Sequence, residues 1–139
     1  MKEKLLHFQK IFEGDLYFDD LYKMIYATDA SVYRKLPLAV AYPKTENAIR
    51  QLILFAKDNK TSLIPRTAGT SLAGQCVGDG IVVDVSKYFT KILSLNEKKK
   101  TITLQPGVIR DELNRYLKPY GLFFGPNTST SNRCMIGGW

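Results

Sequence analysis

One loop sets the architecture of this chain: Ile64-Pro65-Arg66-Thr67-Ala68-Gly69-Thr70-Ser71-Leu72-Ala73-Gly74-Gln75. It lies between two apolar runs, Thr61–Ile64 and Ile81–Val85, and uninterrupted runs of this kind are typical of strands covered on both faces. A third apolar run, Leu38–Tyr42, precedes a helical pattern that Thr45 can cap. Strand, helix, strand, loop and strand predict a parallel βαβ unit. The loop therefore lies at the carboxyl end of a strand, where open α/β sheets bind ligands.

The composition of this loop is suited to an anion. Gly69 and Gly74 can adopt positive φ, so that successive backbone N–H groups converge into a concavity. Thr70 and Ser71 add hydroxyl donors, and Arg66 adds a fixed positive charge. The loop is neither a P-loop nor a Gly-x-Gly-x-x-Gly fingerprint. Composition alone therefore leaves two interpretations open, a phosphate or pyrophosphate site and a structural turn.

Apolar residues at helical spacing predict four helices. Two lie near the amino terminus, over residues 3–12 and Asp19–Tyr26. The third follows Thr45, and the fourth follows the break at Pro106-Gly107. The predicted apolar faces of the first, third and fourth helices are Leu5, Phe8 and Phe12; Ala48, Ile49, Leu52, Ile53 and Ala56; and Ile109, Leu113, Tyr116 and Leu117.

The pattern changes at Lys91. Two alternating segments, Ile92–Asn96 and Thr101–Gln105, flank the charged run Glu97–Lys100 and predict an antiparallel hairpin with a solvated turn. The predicted fold class is α/β (α+β), a small parallel βαβ unit followed by the start of an antiparallel α+β subdomain. We predict an N-terminal helical segment at 1–28, a first subdomain with the loop at 29–88, and the start of a second subdomain, truncated, at 89–139.

Composition restricts the functional classes. The formal net charge is +7 over 139 residues, but its densest run falls in the predicted hairpin turn, so we do not predict nucleic-acid binding. No apolar stretch approaches the roughly 20 residues that span a bilayer, and no signal peptide is visible, so we predict no membrane span and a cytoplasmic location. Cys76 and Cys134 form no Cys-x-x-Cys pair and have only His7 to help bind metal, which predicts reduced thiols and no metal site.

A second cluster of small residues, Pro126–Gly138, gives the loop its context, because two such clusters could line opposite sides of one elongated anionic ligand. Taken in order, the segments from Tyr26 to Trp139 resemble the FAD-linked oxidases of the vanillyl-alcohol oxidase and p-cresol methylhydroxylase superfamily. The resemblance is closest to D-lactate dehydrogenases and glycolate oxidase flavoprotein subunits, including long forms fused to an iron–sulfur domain. The segments that carry it are Arg66–Gln75, Ile81–Asp84, Gln105–Val108, Phe124–Pro126 and Ile136–Gly138.

The resemblance implies an FAD site with two parts. No histidine for covalent attachment of the flavin is visible, so we predict non-covalent attachment within this stretch. Thr67 stands where the family usually has a glycine, and Tyr26, Asp29, Ser31 and Tyr33 match an N-terminal pattern that we assign to packing. The first part wraps the pyrophosphate through backbone amides, and the second approaches the dinucleotide from the other subdomain. The implied residues are Pro65, Arg66, Thr67, Ala68, Gly69, Thr70, Ser71, Gly74 and Gln75 in the first part, and Pro126, Thr130, Cys134, Ile136, Gly137 and Gly138 in the second.

The resemblance further implies a flavoprotein oxidoreductase. A hydride would pass from a D-2-hydroxy acid, of the D-lactate or glycolate type, to the flavin, and the electrons onward to a quinone, a cytochrome or an iron–sulfur partner. An iron–sulfur cluster would belong to a downstream domain. The alternatives are the FAD domain of another oxidoreductase, such as a UDP-sugar reductase, and a non-catalytic nucleotide-binding module.

The sequence shows no catalytic residue for this reaction. No acid–base pair for oxidising a hydroxy acid is evident, and the antiparallel unit looks half built. We therefore expect an amino-terminal fragment that binds FAD weakly or not at all and has no turnover by itself. In the full-length enzyme we expect a cytoplasmic location or a peripheral one at the inner face of the membrane.

Overall fold

A computed structural model describes residues 1–138 of the chain. Trp139, where the predicted second subdomain ends, lies outside the described residues. Within them, no helix combines the length and apolar character needed to cross a membrane. The elements are α1 Lys2–Ile11, β1 Gly14–Tyr17, α2 Asp20–Ile25, β2 Ala39–Pro43, α3 Glu46–Asn59, β3 Leu63–Arg66, β4 Ile81–Asp84, β5 Ile92–Asn96, β6 Thr101–Leu104, α4 Arg110–Leu117, and short 3₁₀ helices at Lys118–Tyr120 and Ile136–Gly138.

The first unit is built on a four-stranded sheet with the order β1-β2-β4-β3. Strand β4 lies between β2 and β3 and is parallel to both. In this register Val82 pairs with Val40 on one side and with Ile64 on the other. This arrangement confirms the predicted parallel βαβ unit. Strand β1 pairs antiparallel with β2 and was not predicted from the sequence, since only Leu16 of its four residues is buried and no alternation marks it.

The two strands that flank the loop differ in burial. All four residues of β4 are buried, as their uninterrupted apolar run predicts. Strand β3 was expected to be covered in the same way, and this was wrong: Leu63 and Ile64 are half-buried, and Pro65 is exposed. The reason is position, because β3 is an edge strand, and edges are where a sheet tolerates proline.

Helix α3 covers one face of this sheet. Thr45 caps it as predicted, its Oγ1 accepting a hydrogen bond from the N–H of Ala48 at 3.0 Å. The predicted apolar face is only partly buried, because Ile53 is 53% exposed. Helix α1 shares the core with α3, and the rings of Phe8 and Phe55 stack at 4.4 Å. The buried residues of this first core include Leu5, Phe8, Phe12, Leu16, Ala39, Ala41, Ala48, Leu52, Ile81 and Val83.

The second unit contains the predicted hairpin and its own core. Strands β5 and β6 pair antiparallel with a bulge between Ile92 and Ser94, so Ile92 and Leu95 face inward while Leu93 points outward. Leu113 and Leu117 of α4 are buried, but Tyr116, predicted on the same face, is 39% exposed. The eight-residue helix buries a narrow stripe, and the Tyr116 ring lies beside that of Tyr120 instead. The division of the chain at 28/29 and 88/89 stays a prediction.

An ion cluster joins β1 to the rest of the first unit. Asp15 accepts hydrogen bonds from Lys44 Nζ at 2.8 Å, from Lys87 Nζ at 2.9 Å and from the Tyr88 hydroxyl at 2.6 Å. Burial alone would raise the pKa of Asp15, but the three hydrogen bonds outweigh it and hold that pKa well below its usual range. A carboxyl whose folded pKa is depressed stabilises the fold above its unfolded pKa of about 3.9 and loses that contribution as the pH falls.

We therefore expect acid to destabilise the wild-type fold as Asp15 becomes protonated. The free energy of unfolding, measured with urea at neutral pH and at steps below about pH 4, should fall more steeply for wild type than for Asp15→Asn. Asp58→Asn is the matched control, because Asp58 is an exposed carboxylate on α3. Parallel pH profiles for wild type and Asp15→Asn would contradict this role.

Candidate functional site

A cleft of about 1300 Å³ opens at the carboxyl ends of β3 and β4. The loop after β3 forms one wall, and residues 128–138 form another. Its volume exceeds the roughly 300–1,000 Å³ typical of small-molecule pockets, so it can take an elongated ligand. The structure brings most of the predicted site residues together here: Pro65, Arg66, Thr67, Ala68, Gly69, Thr70, Ser71, Gln75, Thr130, Cys134, Gly137 and Gly138 all line the cleft.

The other three predicted site residues are not part of the cleft lining. Gly74 has a φ of +72°, and a Cβ there would lie 2.6 Å from the ring of Tyr33. The carbonyl of Pro126 accepts a hydrogen bond from Arg110 Nε at 3.2 Å. Ile136 packs against the second core. These positions support the walls, and a direct contact between any of them and a cofactor stays a prediction.

The first half of the loop presents backbone donors without partners. Within residues 1–138, no N–H from Thr67 to Leu72 donates to a protein acceptor. Gly69 lies among them with a φ of +65°. The second half is different, because Ser71 Oγ accepts from the N–H groups of Ala73 at 3.2 Å and Gln75 at 3.3 Å. Since backbone N–H groups withdrawn from water need acceptors, the unpaired row is suited to a bound anion.

Arg66 is held in place at the base of this row. Its Nη1 donates to the carbonyl of Thr28 at 2.8 Å, and its guanidinium lies 4.9 Å from the ring centre of Tyr26. A Cβ on Gly69 would lie 2.5 Å from Arg66 Nη2, so the glycine allows the guanidinium to pack against the loop. The cation is therefore oriented before any ligand arrives, which lowers the entropic cost of binding.

The acidic group in the cleft is tied to the loop. Asp29 accepts from the N–H of Ser31 at 2.8 Å and from that of Cys76 at 3.5 Å. Its partial burial favours a higher pKa, but these hydrogen bonds and the nearby charge of Arg66 lower the pKa of Asp29 overall. Burial raises the pKa of the Cys76 thiol. Asp29 thus serves as a charged anchor for the loop, in agreement with the packing role predicted for it.

The two walls meet at small residues. A Cβ on Gly138 would lie 3.1 Å from Thr67 Oγ1, and one on Gly137 would lie 2.5 Å from Pro106 Cβ. The N–H of Gly137 also donates to the Pro106 carbonyl at 2.8 Å. Thr67 is not among the described non-glycine residues with positive φ, which are Lys60 and Lys100, so the threonine is accommodated without backbone strain.

Sequence reasoning missed one side of the cleft. Ile25, Ile49 and Ile53 form an apolar wall that faces the ligand space, and Arg133 adds a second cation at the far side. Ile49 and Ile53 were predicted to lie on the apolar face of the third helix, without any prediction that they line a cleft. The spacing of apolar residues identifies the apolar face of a helix. It does not show which part of that face is buried in the core and which part lines a cleft.

A buried carboxylate lies behind Arg66. Asp84 is 4% exposed and accepts from the Tyr26 hydroxyl at 2.6 Å and from the N–H of Ser86 at 2.8 Å. Burial, and then the hydrogen bond to Asp84, strongly raise the pKa of Tyr26, so its phenol stays protonated.

We expect Tyr26→Phe to lower the free energy of unfolding by about 1–3 kcal/mol, because Asp84 would lose a donor inside the fold. Urea unfolding at neutral pH measures the loss. Tyr33→Phe is the control, since Tyr33 is 58% exposed. Equal losses in the two variants would show that the Tyr26 hydroxyl contributes nothing particular.

Most of the chain matches one known protein family. Residues 37–139 match the FAD binding domain. The chain belongs to the FAD binding domain family. This confirms the resemblance found in the sequence. FAD carries a pyrophosphate, and the cleft offers groups that suit it. These are the unpaired amides, the oriented Arg66, and the small residues Gly137 and Gly138, which let the two walls come close together.

The FAD binding domain of this chain is similar to parts of much longer proteins. It is 43% identical to a D-2-hydroxyglutarate dehydrogenase of Haemophilus influenzae over 91% of its length, and 39% identical to one of Escherichia coli over 94%. It is 32% identical to the glycolate oxidase subunit GlcD of Bacillus subtilis over 84%. The matched region spans 13% of each dehydrogenase and 25% of the oxidase subunit.

Solved structures show the same fold at low identity. The chain superposes on alkyldihydroxyacetonephosphate synthase with a TM-score of 0.83 and 18% identity, covering 100% of this chain and 31% of that one. For p-cresol methylhydroxylase the TM-score is 0.72 with 13% identity, over 87% of this chain and 25% of that one. The predicted α/β fold class is thereby confirmed.

Proposed function

We propose that this FAD binding domain serves a flavoprotein dehydrogenase that oxidises a D-2-hydroxy acid. The observation that carries the cofactor assignment is the row of unpaired amides from Thr67 to Leu72, in residues that line the same cleft as Gly137 and Gly138. The substrate class is supported by the names of the relatives, which act on D-2-hydroxyglutarate or glycolate.

The chain's part in this chemistry is to bind and orient the cofactor. The loop amides and Arg66 would hold the pyrophosphate, and the glycines at 137 and 138 would let the dinucleotide approach the second wall. The bound flavin supplies the hydride acceptor. Within this stretch attachment is non-covalent in this proposal, because His7, the one histidine of the sequence, lies on α1 beside α3, outside the cleft.

Nucleotide titration tests the pyrophosphate assignment. Changes in flavin fluorescence and calorimetry with the 139-residue chain should show that FAD and ADP compete for one site, while riboflavin, which lacks phosphate, does not. Binding of FAD and ADP should weaken with added salt, since the site is cationic. Riboflavin binding as tightly as ADP would overturn the assignment.

A test of the substrate class requires the protein as its natural host makes it. We propose capturing it through an epitope tag at Met1 and adding reductants under anaerobic conditions. D-2-hydroxyglutarate, D-lactate or glycolate should bleach the flavin, and the L-enantiomers of the chiral acids should not. If NADPH bleached the flavin and the protein then reduced a UDP-sugar, while hydroxy acids had no effect, the order of the two candidate reactions would be reversed.

We propose that residues 1–139 by themselves bind FAD weakly and do not turn over a hydroxy acid. Among the described residues, the titratable groups that line the cleft are Asp29, Arg66, Cys76, Arg133 and Cys134, and Asp29 already accepts hydrogen bonds from the N–H groups of Ser31 and Cys76. Addition of D-2-hydroxyglutarate to the chain with FAD should leave the flavin oxidised. The two free thiols support a cytoplasmic location, and a quinone, cytochrome or iron–sulfur group is the proposed electron acceptor.

A further inference from the structure

Residues 26–33 precede the family match and contact the loop that follows β3 at several points. The match to the FAD binding domain covers residues 37–139, so it assigns these residues no role. Three of them, Thr28, Asp29 and Ala30, line the cleft together with the loop. We call residues 26–33 the clasp.

The clasp is a turn with hydrogen bonds of its own. Asp29 Oδ1 accepts from the N–H of Ser31 at 2.8 Å, and Ser31 Oγ accepts from the N–H of Tyr33 at 3.1 Å. An antiparallel bridge between Thr28 and Arg34 closes the turn. Side-chain to backbone bonds of this kind fix the local course of a chain. The clasp can therefore support a neighbouring segment.

Two residues of the clasp hold the side chain of Arg66. The ring centre of Tyr26 lies 4.9 Å from the guanidinium, and the carbonyl of Thr28 accepts from Arg66 Nη1 at 2.8 Å. Arg66 ends β3, and a long side chain without such contacts would sample many rotamers. The clasp thus determines the direction in which the positive charge of Arg66 points.

A backbone hydrogen bond from the clasp sets the direction of one loop amide. The carbonyl of Gly69 accepts from the N–H of Ala30 at 3.2 Å. In a trans peptide the C=O and N–H groups point in opposite directions, and the described residues contain no cis peptide bond. The N–H of Thr70 shares this peptide plane and therefore points away from Ala30. Within residues 1–138 that N–H has no protein acceptor, so it is left for a ligand.

We propose that the clasp holds the loop in the conformation that binds the pyrophosphate, and that Tyr26 and Asp29 are positioning residues for FAD binding. Tyr26 acts through Arg66. Asp29 acts by forming the turn that carries Ala30 and by accepting from the N–H of Cys76 at 3.5 Å, just after the loop. This inference rests on the proposed FAD site and adds to it a segment that lies outside the family match.

Replacing the Tyr26 ring should weaken FAD binding. Tyr26→Leu keeps an apolar side chain but removes the ring face on which the guanidinium lies, and the dissociation constant for FAD should rise by about tenfold. Tyr26→Phe restores the ring without the hydroxyl and should recover most of this affinity, although its unfolding free energy is lowered. Tyr120→Leu is the matched control, because Tyr120 is 43% exposed in the second unit and is not part of the cleft lining. Equal dissociation constants in Tyr26→Leu and Tyr120→Leu would overturn the role of Tyr26.

The side chain of Arg66 reports on the clasp without FAD. Nitrogen relaxation of the Arg66 Nε signal, identified by its absence in Arg66→Gln, should show an ordered guanidinium in wild type and in Tyr26→Phe. In Tyr26→Leu the same signal should show a mobile guanidinium, and urea unfolding checks that the variant is folded. A guanidinium as ordered in Tyr26→Leu as in wild type would contradict the proposal.

The Asp29 carboxylate gives a second test, in which charge and position act in opposite directions. Removing a negative charge from the cleft should by itself tighten the binding of an anion. Asp29→Ala also removes the acceptor for the N–H groups of Ser31 and Cys76, so we expect the dissociation constant for FAD to rise by about 3- to 10-fold. Asp58→Ala removes the same charge outside the cleft and should not raise it. Tighter or unchanged binding in Asp29→Ala would show that Asp29 does not position the loop.

The relaxation measurement and the nucleotide titration together separate the clasp from the FAD site. A mobile Arg66 in Tyr26→Leu, with no competition between FAD and ADP in wild type, would mean that the clasp orients the loop while the FAD site fails. Competition in wild type, with an ordered Arg66 and wild-type FAD affinity in Tyr26→Leu, would mean that the site holds while the clasp fails.

Discussion

Replacing Gly69 with alanine is expected to raise the dissociation constant for FAD by about 10- to 100-fold. The new Cβ would meet Arg66 Nη2 at 2.5 Å and would occupy a φ of +65°, a region that costs an L-residue roughly 1–2 kcal/mol. Either the guanidinium or the loop must move, and each movement breaks hydrogen bonds to a charged group that are worth about 1.5–3 kcal/mol. Fluorescence titration of FAD measures the effect.

Gly121→Ala provides the matched control for this prediction. Gly121 has the same φ of +65°, but nothing lies within 4 Å of a Cβ there, and it is not part of the cleft lining. Both variants should lose unfolding free energy through backbone strain, while only Gly69→Ala loses FAD affinity. Equal dissociation constants for the two variants would remove Gly69 from the site.

The second large effect is expected at Arg66. Arg66→Gln removes the cation that lies on Tyr26 and contacts the Thr28 carbonyl, and the dissociation constant for FAD should rise by about 10- to 100-fold. Arg66→Lys should be intermediate, because lysine keeps the charge but not the planar donor geometry. The salt dependence of binding should weaken in the glutamine variant.

Arg115→Gln controls for net charge. Arg115 is exposed on α4, so this variant makes the same charge change away from the cleft, and FAD affinity should stay that of wild type. Urea unfolding of each variant shows whether lost affinity reflects lost folding. Equal affinity in Arg66→Gln and Arg115→Gln would mean that the guanidinium does not contact the pyrophosphate.

The parallel unit could be predicted because its signals are local. Thr45 begins α3 through its own side chain, and β4 is apolar at successive positions because both of its faces are covered. Strand β1 carried no such signal, since it is held by pairing with β2 and by the contacts of Asp15 with Lys44 and Lys87. Those contacts join residues far apart in the chain, and no local pattern encodes them.

The site was predicted in part for the same reason. The glycines and hydroxyls of the loop are contiguous, so their chemistry can be recognised directly. The wall formed by Ile25, Ile49 and Ile53 depends on where α2 and α3 sit relative to β3, which spacing does not reveal. The ring contacts of Tyr42 with Tyr17 and Tyr26 are likewise invisible in the sequence, because the three residues belong to separate segments.

The proline that precedes the loop bears on association between chains. The carbonyls of Ser62, just before β3, and of Arg66 accept from the N–H groups of Ile81 and Val85. Because successive residues of a strand point their backbone groups to opposite sides, Pro65, next to Arg66, faces the open edge of the sheet. A proline nitrogen has no hydrogen to donate, so a strand from another molecule cannot complete a ladder there. The loop after β3 thus begins at a sheet edge that disfavours pairing with a strand of another chain.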